Sequence, residues 1–506
     1  MGDEWQGRNV LVLGLGETGL SCIRWLARHG ARLAAADTRA APPALGALRA
    51  EHPQLRVALG PFDAQLLAGV DAVAASPGLA LREPVLRQAA RRGIEVVGDV
   101  EIFGRSVAGR QGVRVLGVTG TNGKSTVTSL AAAMGRAAGL RAQAIGNIGV
   151  PVLDALREAE AQGFPDLWVV ELSSYQLETT RSLLLDAATM LNVTQDHLDW
   201  HGTMKAYADA KARIFGTDAM PDTVMVINRD DPAVEAMIPP PVTVKPTRRG
   251  ERARQVSRRV VRFGLDAPRE PGDFGLVEEA GMAWLVRAME LDPTIKRKPG
   301  DDVDLVIQRL MPADALRIRG RHNASNALAS LALASSVGIP LAPMLHGLRE
   351  YRGEPHRVEP IGIIGQVEFF DDSKGTNVGA TVAALNGLGQ DKAPAKLVVI
   401  LGGDGKGQDF APLAEPLRRH ARAAATIGKD AEAIEAVLQS AGVRFERHAT
   451  LEDATRWAHK QAEGSDAVLL SPACASLDMF RDYKHRADVF VATVRDIADD
   501  VGEVLA

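Results

Sequence analysis

Apolar positions along the chain fall in short runs, each closed by a glycine-rich turn and followed by a stretch with helical spacing. Val10–Leu13 leads into Gly14-Leu15-Gly16-Glu17-Thr18-Gly19 and a helix running toward Arg28. Val113–Val118 leads into Gly120-Thr121-Asn122-Gly123-Lys124-Ser125-Thr126, and Leu397–Leu401 into Gly402-Gly403-Asp404-Gly405-Lys406-Gly407. Short strands alternating with helices predict parallel sheets and an α/β fold. Such sheets gather their loops and helix N-termini at the C-terminal strand edge, where ligands bind. The three turns are too dissimilar and too unevenly spaced for a solenoid repeat. They predict three α/β domains, 1–107, 108–352 and 353–506, with the breaks within Gly104–Gly112 and Tyr351–Pro355. The stretch Arg287–Pro312, with Lys296-Arg297-Lys298-Pro299-Gly300-Asp301-Asp302 at its centre, reads as a solvated insertion in the middle domain.

Length agrees, since 506 residues at about 150 per domain is about three domains. The net charge of −4, from 59 Lys and Arg against 63 Asp and Glu, excludes the basic excess of a general nucleic-acid or membrane binder. With 4% aromatic residues there are few base-stacking platforms. No run approaches the roughly 18 apolar residues of a membrane span. The acidic start Met1–Gln6 is unlike a signal peptide. Cys22 and Cys474 lie at opposite ends of the chain, which fits a reducing compartment, so the expected location is the cytoplasm.

The first turn matches Gly-x-Gly-x-x-Gly, and Asp37 closes the next strand eighteen residues after Gly19, where a ribose-binding acid would sit. Taken alone this suits NAD, but any nucleoside diphosphate meets the same requirement of close backbone approach at a helix N-terminus. The second turn lacks the usual first glycine, since Val118 stands five before Gly123. It nevertheless has glycines for backbone approach to phosphate, Lys124 for charge, and Ser125 or Thr126 for Mg²⁺. Glu171, ending the strand Leu167–Val170, is either a Mg²⁺ carboxylate or a sheet-edge ion-pair partner. His197, after the strand Ala187–Val193, is either structural or a neutral metal ligand. Lys211 occupies a slot in the apolar stripe of Met204, Tyr207, Ile214 and Phe215. It either snorkels or is a sheltered amine of lowered pKa, open to covalent modification. Asn323 and Asn326, near His322 on one helix face, can read a base edge or cap the helix. Asp372-Ser373-Lys374-Gly375-Thr376, Lys406 and Ser471–Ser476 line one strand edge with donors suited to a small dicarboxylate.

Jointly, Gly120–Thr126, Glu171-Leu-Ser-Ser174, Asn192-Val-Thr-Gln-Asp-His197, Asp372-Ser-Lys-Gly-Thr-Asn377 and Ser471-Pro-Ala-Cys-Ala-Ser-Leu477 resemble the Mur ligases. These are the ATP-dependent amide ligases of peptidoglycan synthesis, and the likeness is to their D-glutamate-adding branch. The Asp-Asn-Pro-Arg motif of the diaminopimelate- or lysine-adding sister is not found. The resemblance implies a Rossmann-like N-terminal domain, a central P-loop ATPase domain with a mostly parallel sheet, and a C-terminal Rossmann-like α/β domain. It implies that Gly14, Gly16, Glu17 and Thr18 hold the UDP of a muramoyl substrate, with Asp37, Thr38 and Arg39 near the uracil, and that Ser76-Pro77-Gly78 and Asn147 line the channel. Gly120, Thr121, Asn122, Gly123, Lys124, Ser125 and Thr126 would grip ATP, and Asn326, Arg357 and Asp372 its adenine, phosphate and ribose parts. Ser125 and Glu171 would serve one Mg²⁺, and His197 with a carbamylated Lys211 a second. Lys374, Thr376, Lys406 and Ser476 would hold the incoming glutamate, beside Tyr483 where the family commonly has Phe.

The implied reaction joins D-glutamate to UDP-N-acetylmuramoyl-L-alanine through an acyl-phosphate, with domain closure onto ATP, in a cytoplasmic monomer with no membrane or nucleic-acid partner. The insertion near 287–312 is longer than the family norm. Two other ligases, L-glutamate-adding or folylpolyglutamate-type, remain as alternatives, with an NAD-dependent oxidoreductase and a non-catalytic nucleotide-gated protein behind them.

Overall fold

A computed structural model describes residues 4–216, 223–244, 254–295, 303–318, 320–503 and 505. Three large sheets follow one another along the chain. The first has five parallel strands in the order Arg56–Leu59, Arg32–Asp37, Asn9–Leu13, Ala72–Ala75, Glu95–Val97. Val10 to Leu13 are at most 1% exposed, as a central strand covered on both faces requires. The chain winds outward both ways from Asn9–Leu13, so a topological switch point lies between that strand and Ala72–Ala75. Leu13 pairs with Ala36 and Ala75, which brings Gly14, Asp37 and Ser76 to one edge.

In the nine-stranded middle sheet Arg114–Thr119 lies third from one edge, flanked by Leu167–Glu171 and Ala187–Met190. Val118 pairs with Glu171 and Thr119 with Met190, so the phosphate loop, Glu171 and the segment after Met190 leave the sheet together. The third sheet has six strands, with Ala467–Leu470 between Val367–Asp371 and Leu397–Gly402. Its registers bring Asp372, Ser471 and Gly402 to one edge. Among the described residues no helix is long and apolar enough to cross a membrane. Cys22 and Cys474 are both free and buried.

Two features depart from the sequence reading. The stretch Arg287–Pro312, expected to be irregular, is strand at both of its ends: Met282–Glu290 and Leu305–Pro312 are antiparallel strands at the sheet's outer edge. In Leu305–Pro312 the apolar residues fall in runs, Leu305-Val306-Ile307 and Leu310-Met311, rather than alternating with polar ones, so the strand carries no period-two signal in the sequence. The polar run Lys296–Asp302 lies outside the described residues.

The three sheets are also not equally separate. Trp5, Leu26, Phe103, Val115 and Trp168 belong to one hydrophobic cluster that crosses from the first sheet to the second. The helix Asp99–Val107, which ends where the first domain was expected to end, packs on that cluster. Phe103 meets Trp168 edge to face at 5.7 Å, worth about 0.5–1.5 kcal/mol beyond the area it buries. Glu101 on the same helix accepts from the backbone N–H of Arg181 at 2.6 Å and of Ser182 at 2.9 Å. The third sheet, by contrast, has two clusters of its own. Tyr351 packs on the middle core and Val358 on the third. Gly353, His356 and Val358 between and at these anchors all have positive φ, of 99°, 64° and 48°. A left-handed backbone at a β-branched residue is costly and marks a built bend rather than a passive linker.

Candidate active site

The phosphate loop leaves Arg114–Thr119 and turns into the helix Lys124–Ala137. Gly123 caps that helix in the left-handed region, and a Cβ there would stand 2.5 Å from Asn326 Oδ1. The loop is braced from its own sheet: Asn122 N–H donates to Asn192 Oδ1 at 2.8 Å, and Thr194 N–H to Thr121 Oγ1 at 3.0 Å. It is also bonded to the third domain. Asn377 Nδ2 donates to Asn122 Oδ1 at 3.2 Å, and Arg357 Nη2 to Ser125 Oγ at 3.0 Å.

Lys124 Nζ donates to the carbonyls of Gly120 (2.9 Å) and Thr121 (2.7 Å). Burial holds this amine below its ordinary value, Arg357 adds to the effect, and Glu171 and Asp196 oppose it. Lys211 does not snorkel. It is 2% exposed, donates to the Gly120 carbonyl at 2.7 Å and lies over the Tyr207 ring at 4.7 Å. Burial first, and Lys124 second, push its pKa far down, the condition for a nucleophilic amine. Glu171 is 1% exposed. Its Oε1 accepts from Asn147 Nδ2 at 2.8 Å, while Oε2 is buried with no hydrogen-bond partner. A carboxylate oxygen left so is costly unless a cation meets it, and that fits a Mg²⁺ ligand. Burial lowers the His197 pKa, Asp196 opposes that, and the nearby cations Lys406, Lys124 and Lys211 add to it, a direction that favours the neutral imidazole a metal ligand needs.

Beside the loop is a cavity of about 270 Å³. Asn122, Gly123, Thr126, Asn326, Arg357 and Asp372 line it, over an apolar floor of Leu191, Phe263, Leu265 and Ile318. These six were expected around ATP, and the structure brings them together. Asn326 Nδ2 donates to Asn323 Oδ1 at 3.0 Å, so the pair presents a fixed edge of amides. Burial pushes Asp372 up to about 7 although Ser471 Oγ donates to it at 2.6 Å.

On the third-sheet edge, Lys374 stands over Tyr483 at 5.4 Å, and burial lowers it to about 8. Lys406 is exposed, and its Gly-rich loop is bonded to the Ser476 loop through paired Asp404 and Ala475 backbone bonds of 3.0 and 2.9 Å. Thr376 is half-buried beside them and Ser476 is buried, its carbonyl accepting from Met479 and Phe480. Arg486, fully buried, donates to Ser373 Oγ and O and to the Cys474 carbonyl, fixing the Lys374 loop against the Ser476 loop.

At the first-sheet edge, Gly14, Gly16, Glu17 and Thr18 form the turn into the helix Glu17–Arg28, and no side chain caps its N-terminus. A Cβ on Gly14 would meet Ser76 Cβ at 2.7 Å. Thr38 and Gly78 are exposed at the same edge. Asp37 does not offer the free carboxylate that an NAD ribose needs. Its Oδ1 accepts from Arg39 N and Nε and its Oδ2 from Leu15 N and Arg39 Nη2, at 2.6–2.9 Å. Those bonds hold it well below the usual carboxylate range, the Arg39 pair contributing most. Its role is to pin the glycine turn and aim Arg39, whose guanidinium is half-exposed.

The sequence reading had no role for Asn192, Thr194, Asn377, Tyr175 or Arg486. The first three lie inside motifs already quoted, so their signal was present. Tyr175 and Arg486 carried none. Nor was the His356–Asp371 bond of 2.7 Å anticipated. With Glu359 accepting from the His356 N–H at 2.8 Å, it braces the bend into the third sheet.

The chain matches known families in three successive parts. Residues 8–98 match the N-terminal domain described as Mur ligase MurD-like, 118–267 the Mur ligase middle domain, and 356–474 the Mur ligase glutamate ligase domain. It is 52% identical over 507 residues to a protein of Albidiferax ferrireducens named UDP-N-acetylmuramoylalanine--D-glutamate ligase, covering 98% of each chain. A Burkholderia mallei protein of the same name is 52% identical over 515 residues, again covering 98% of each. Among solved structures, the UDP-N-acetylmuramate-alanine ligase MurC of Thermotoga maritima shares the fold at TM-score 0.57 and 17% identity, over 97% of this chain and 99% of that one. MurF of Acinetobacter baumannii does so at 0.55 and 16%, over 96% and 91%. With its domains matched in order and half its residues shared end to end with such relatives, this chain belongs to the Mur ligase family.

Proposed function

We propose that this protein joins D-glutamate to the terminal carboxylate of UDP-N-acetylmuramoyl-L-alanine, converting ATP to ADP and phosphate. One observation carries the reading: the donor-rich edge of the third sheet is bonded directly to the phosphate loop, Asn377 to Asn122 and Arg357 to Ser125. A reaction that activates an acid with ATP and then delivers it to an amine needs those two sites face to face. The names of the full-length relatives support the choice of acid and amine.

In this reading the first-sheet edge from Gly14 to Thr18, with Arg39 and Gly78, holds the UDP group. Asn326, Arg357 and Asp372 hold the nucleoside and phosphates of ATP. The γ-phosphoryl group passes to the substrate carboxylate and ADP departs. Two anions must approach for this step, so Lys124 is the group that offsets their repulsion and stabilises the charge that develops. Ser125 and Glu171 would hold one Mg²⁺, and His197 and Lys211, as its carbamate, another. When bound, Mg²⁺ supplies further charge compensation at the phosphoryl oxygens. Lys374, Lys406, Thr376 and Ser476 hold the glutamate carboxylates and point its amine at the acyl carbon. Attack there gives a tetrahedral intermediate that collapses to the amide with loss of phosphate. No nucleophile of the protein is required, and positioning carries most of the catalysis.

The test is ADP release with each substrate withheld in turn and with each enantiomer of glutamate. Release that needs both the UDP-muramoyl-alanine and D-glutamate is expected. Release driven by L-glutamate in preference to D, or without the UDP substrate, would reject the assignment.

A further inference from the structure

His197 is held from outside its own segment, by a group to which the proposed mechanism gives no task. Its Nδ1 lies 2.5 Å from Tyr175 Oη, and Nε2 stands 3.5 Å from Asp196 Oδ2. The backbone at His197 is left-handed (φ 52°), capping the short helix Leu198–His201, whose Trp200 and His201 N–H groups donate to the His197 carbonyl. Arg82, in the loop after the first-sheet strand Ala72–Ala75, grips the same turn, donating to the carbonyls of Asp199 and Trp200. The backbone is thus fixed, but an imidazole can still turn over about its Cβ–Cγ bond and exchange Nδ1 for a carbon.

Tyr175 is itself immobilised. It belongs to the helix Ser174–Glu178, which opens with a reciprocal Ser173–Gln176 capping box. Its ring stacks on His201 at 10° and packs against Trp200 with centroids 4.4 Å apart. It stands four residues after Glu171, so one short segment carries a proposed Mg²⁺ carboxylate and, a turn later, the phenol on His197.

We propose that Tyr175 is a positioning residue for His197: with Nδ1–H donating to the phenol oxygen, the Nε2 lone pair is the one offered to a divalent cation. Metal-binding imidazoles almost always donate their second N–H, usually to a carboxylate, carbonyl or water, and losing that partner costs about 10–100-fold in metal affinity. Here a tyrosine hydroxyl occupies that place. The proposal rests on the metal role given to His197 above.

Tyr175→Phe removes the hydroxyl and keeps the ring packing. Mn²⁺ binding, followed by electron paramagnetic resonance with a non-hydrolysable ATP analogue present, is expected to weaken about tenfold. The KM for Mg²⁺ should rise by a similar factor, with kcat recovered at high Mg²⁺ and the KM for glutamate within about twofold of the parent. A Tyr175→Phe enzyme with parental Mn²⁺ affinity and parental KM for Mg²⁺, whatever its kcat, overturns the proposal. His197→Ala separates the two levels. If it weakens Mn²⁺ binding and Tyr175→Phe does not, the phenol alone is eliminated; if it leaves Mn²⁺ binding intact, the metal role of His197 fails as well.

Discussion

Replacing Lys124 with alanine is expected to lower the rate of ADP release by about 10³-fold with both other substrates present, roughly 4 kcal/mol of transition-state stabilisation. The magnitude follows from where the amine is. It is half-buried, tied to the Gly120 and Thr121 carbonyls at 2.9 and 2.7 Å, and so already placed at the mouth of the loop. A fixed cation in a site with little water is worth far more to a developing phosphoryl charge than the same cation in solvent. Because the interaction strengthens as charge develops, kcat should fall further than the KM for ATP rises. Single-turnover measurement of ADP distinguishes the two. ADP release within a few-fold of the parent would remove Lys124 from the chemistry.

Lys211→Ala is expected to cost about 100-fold in activity, and short carboxylic acids added to the assay should restore part of it. The side chain is 2% exposed, and its amine reaches the Gly120 carbonyl rather than water. A lysine used only for its aliphatic stem would keep its charge outside. Burial beside Lys124 favours the neutral amine, the form that adds to carbon dioxide to give a carbamate. An exogenous carboxylate offers the same pair of oxygens and can stand in for it. Full activity in the alanine variant would leave Lys211 a packing residue, and loss with no rescue by acetate or formate would argue against the carbamate.

The sequence carried the strands well, because central parallel strands are unbroken apolar runs and their exits are glycines. Each loop at a C-terminal strand edge could therefore be named in advance, from Gly14 through Lys124 to Lys406. Its limits are equally physical. Asp37 has the spacing of a ribose acid, but spacing does not show that Arg39, two residues on, turns back and fills both oxygens. The outer hairpin around 287–312 was hidden because its strands lack apolar–polar alternation and are separated by a polar run. The shared core of the first two sheets depends on Phe103 meeting Trp168, a contact between residues 65 apart in a chain where either would suit its own domain. Tyr175 is silent in the sequence because a tyrosine after two serines is ordinary. Its meaning comes only from His197, brought to it by the turn that follows another strand.

The unequal separation of the sheets bears on motion. The first two, joined by one core and by the Glu101 bonds, are built to move as a unit. The third hangs on the bend from Gly353 to Val358 and touches the phosphate loop through Asn377 and Arg357. Closure onto ATP is thus expected at that bend rather than between the first two sheets.

The proposed reaction turns on phosphorylation of the substrate carboxylate by ATP. UDP-N-acetylmuramoyl-L-alanine labelled with ¹⁸O in its terminal carboxylate tests this most directly, with the released phosphate read by mass spectrometry. Phosphate carrying a single labelled oxygen is expected, because the bridging oxygen of the acyl-phosphate leaves with phosphorus. Unlabelled phosphate, with amide formed at the normal rate, would contradict it.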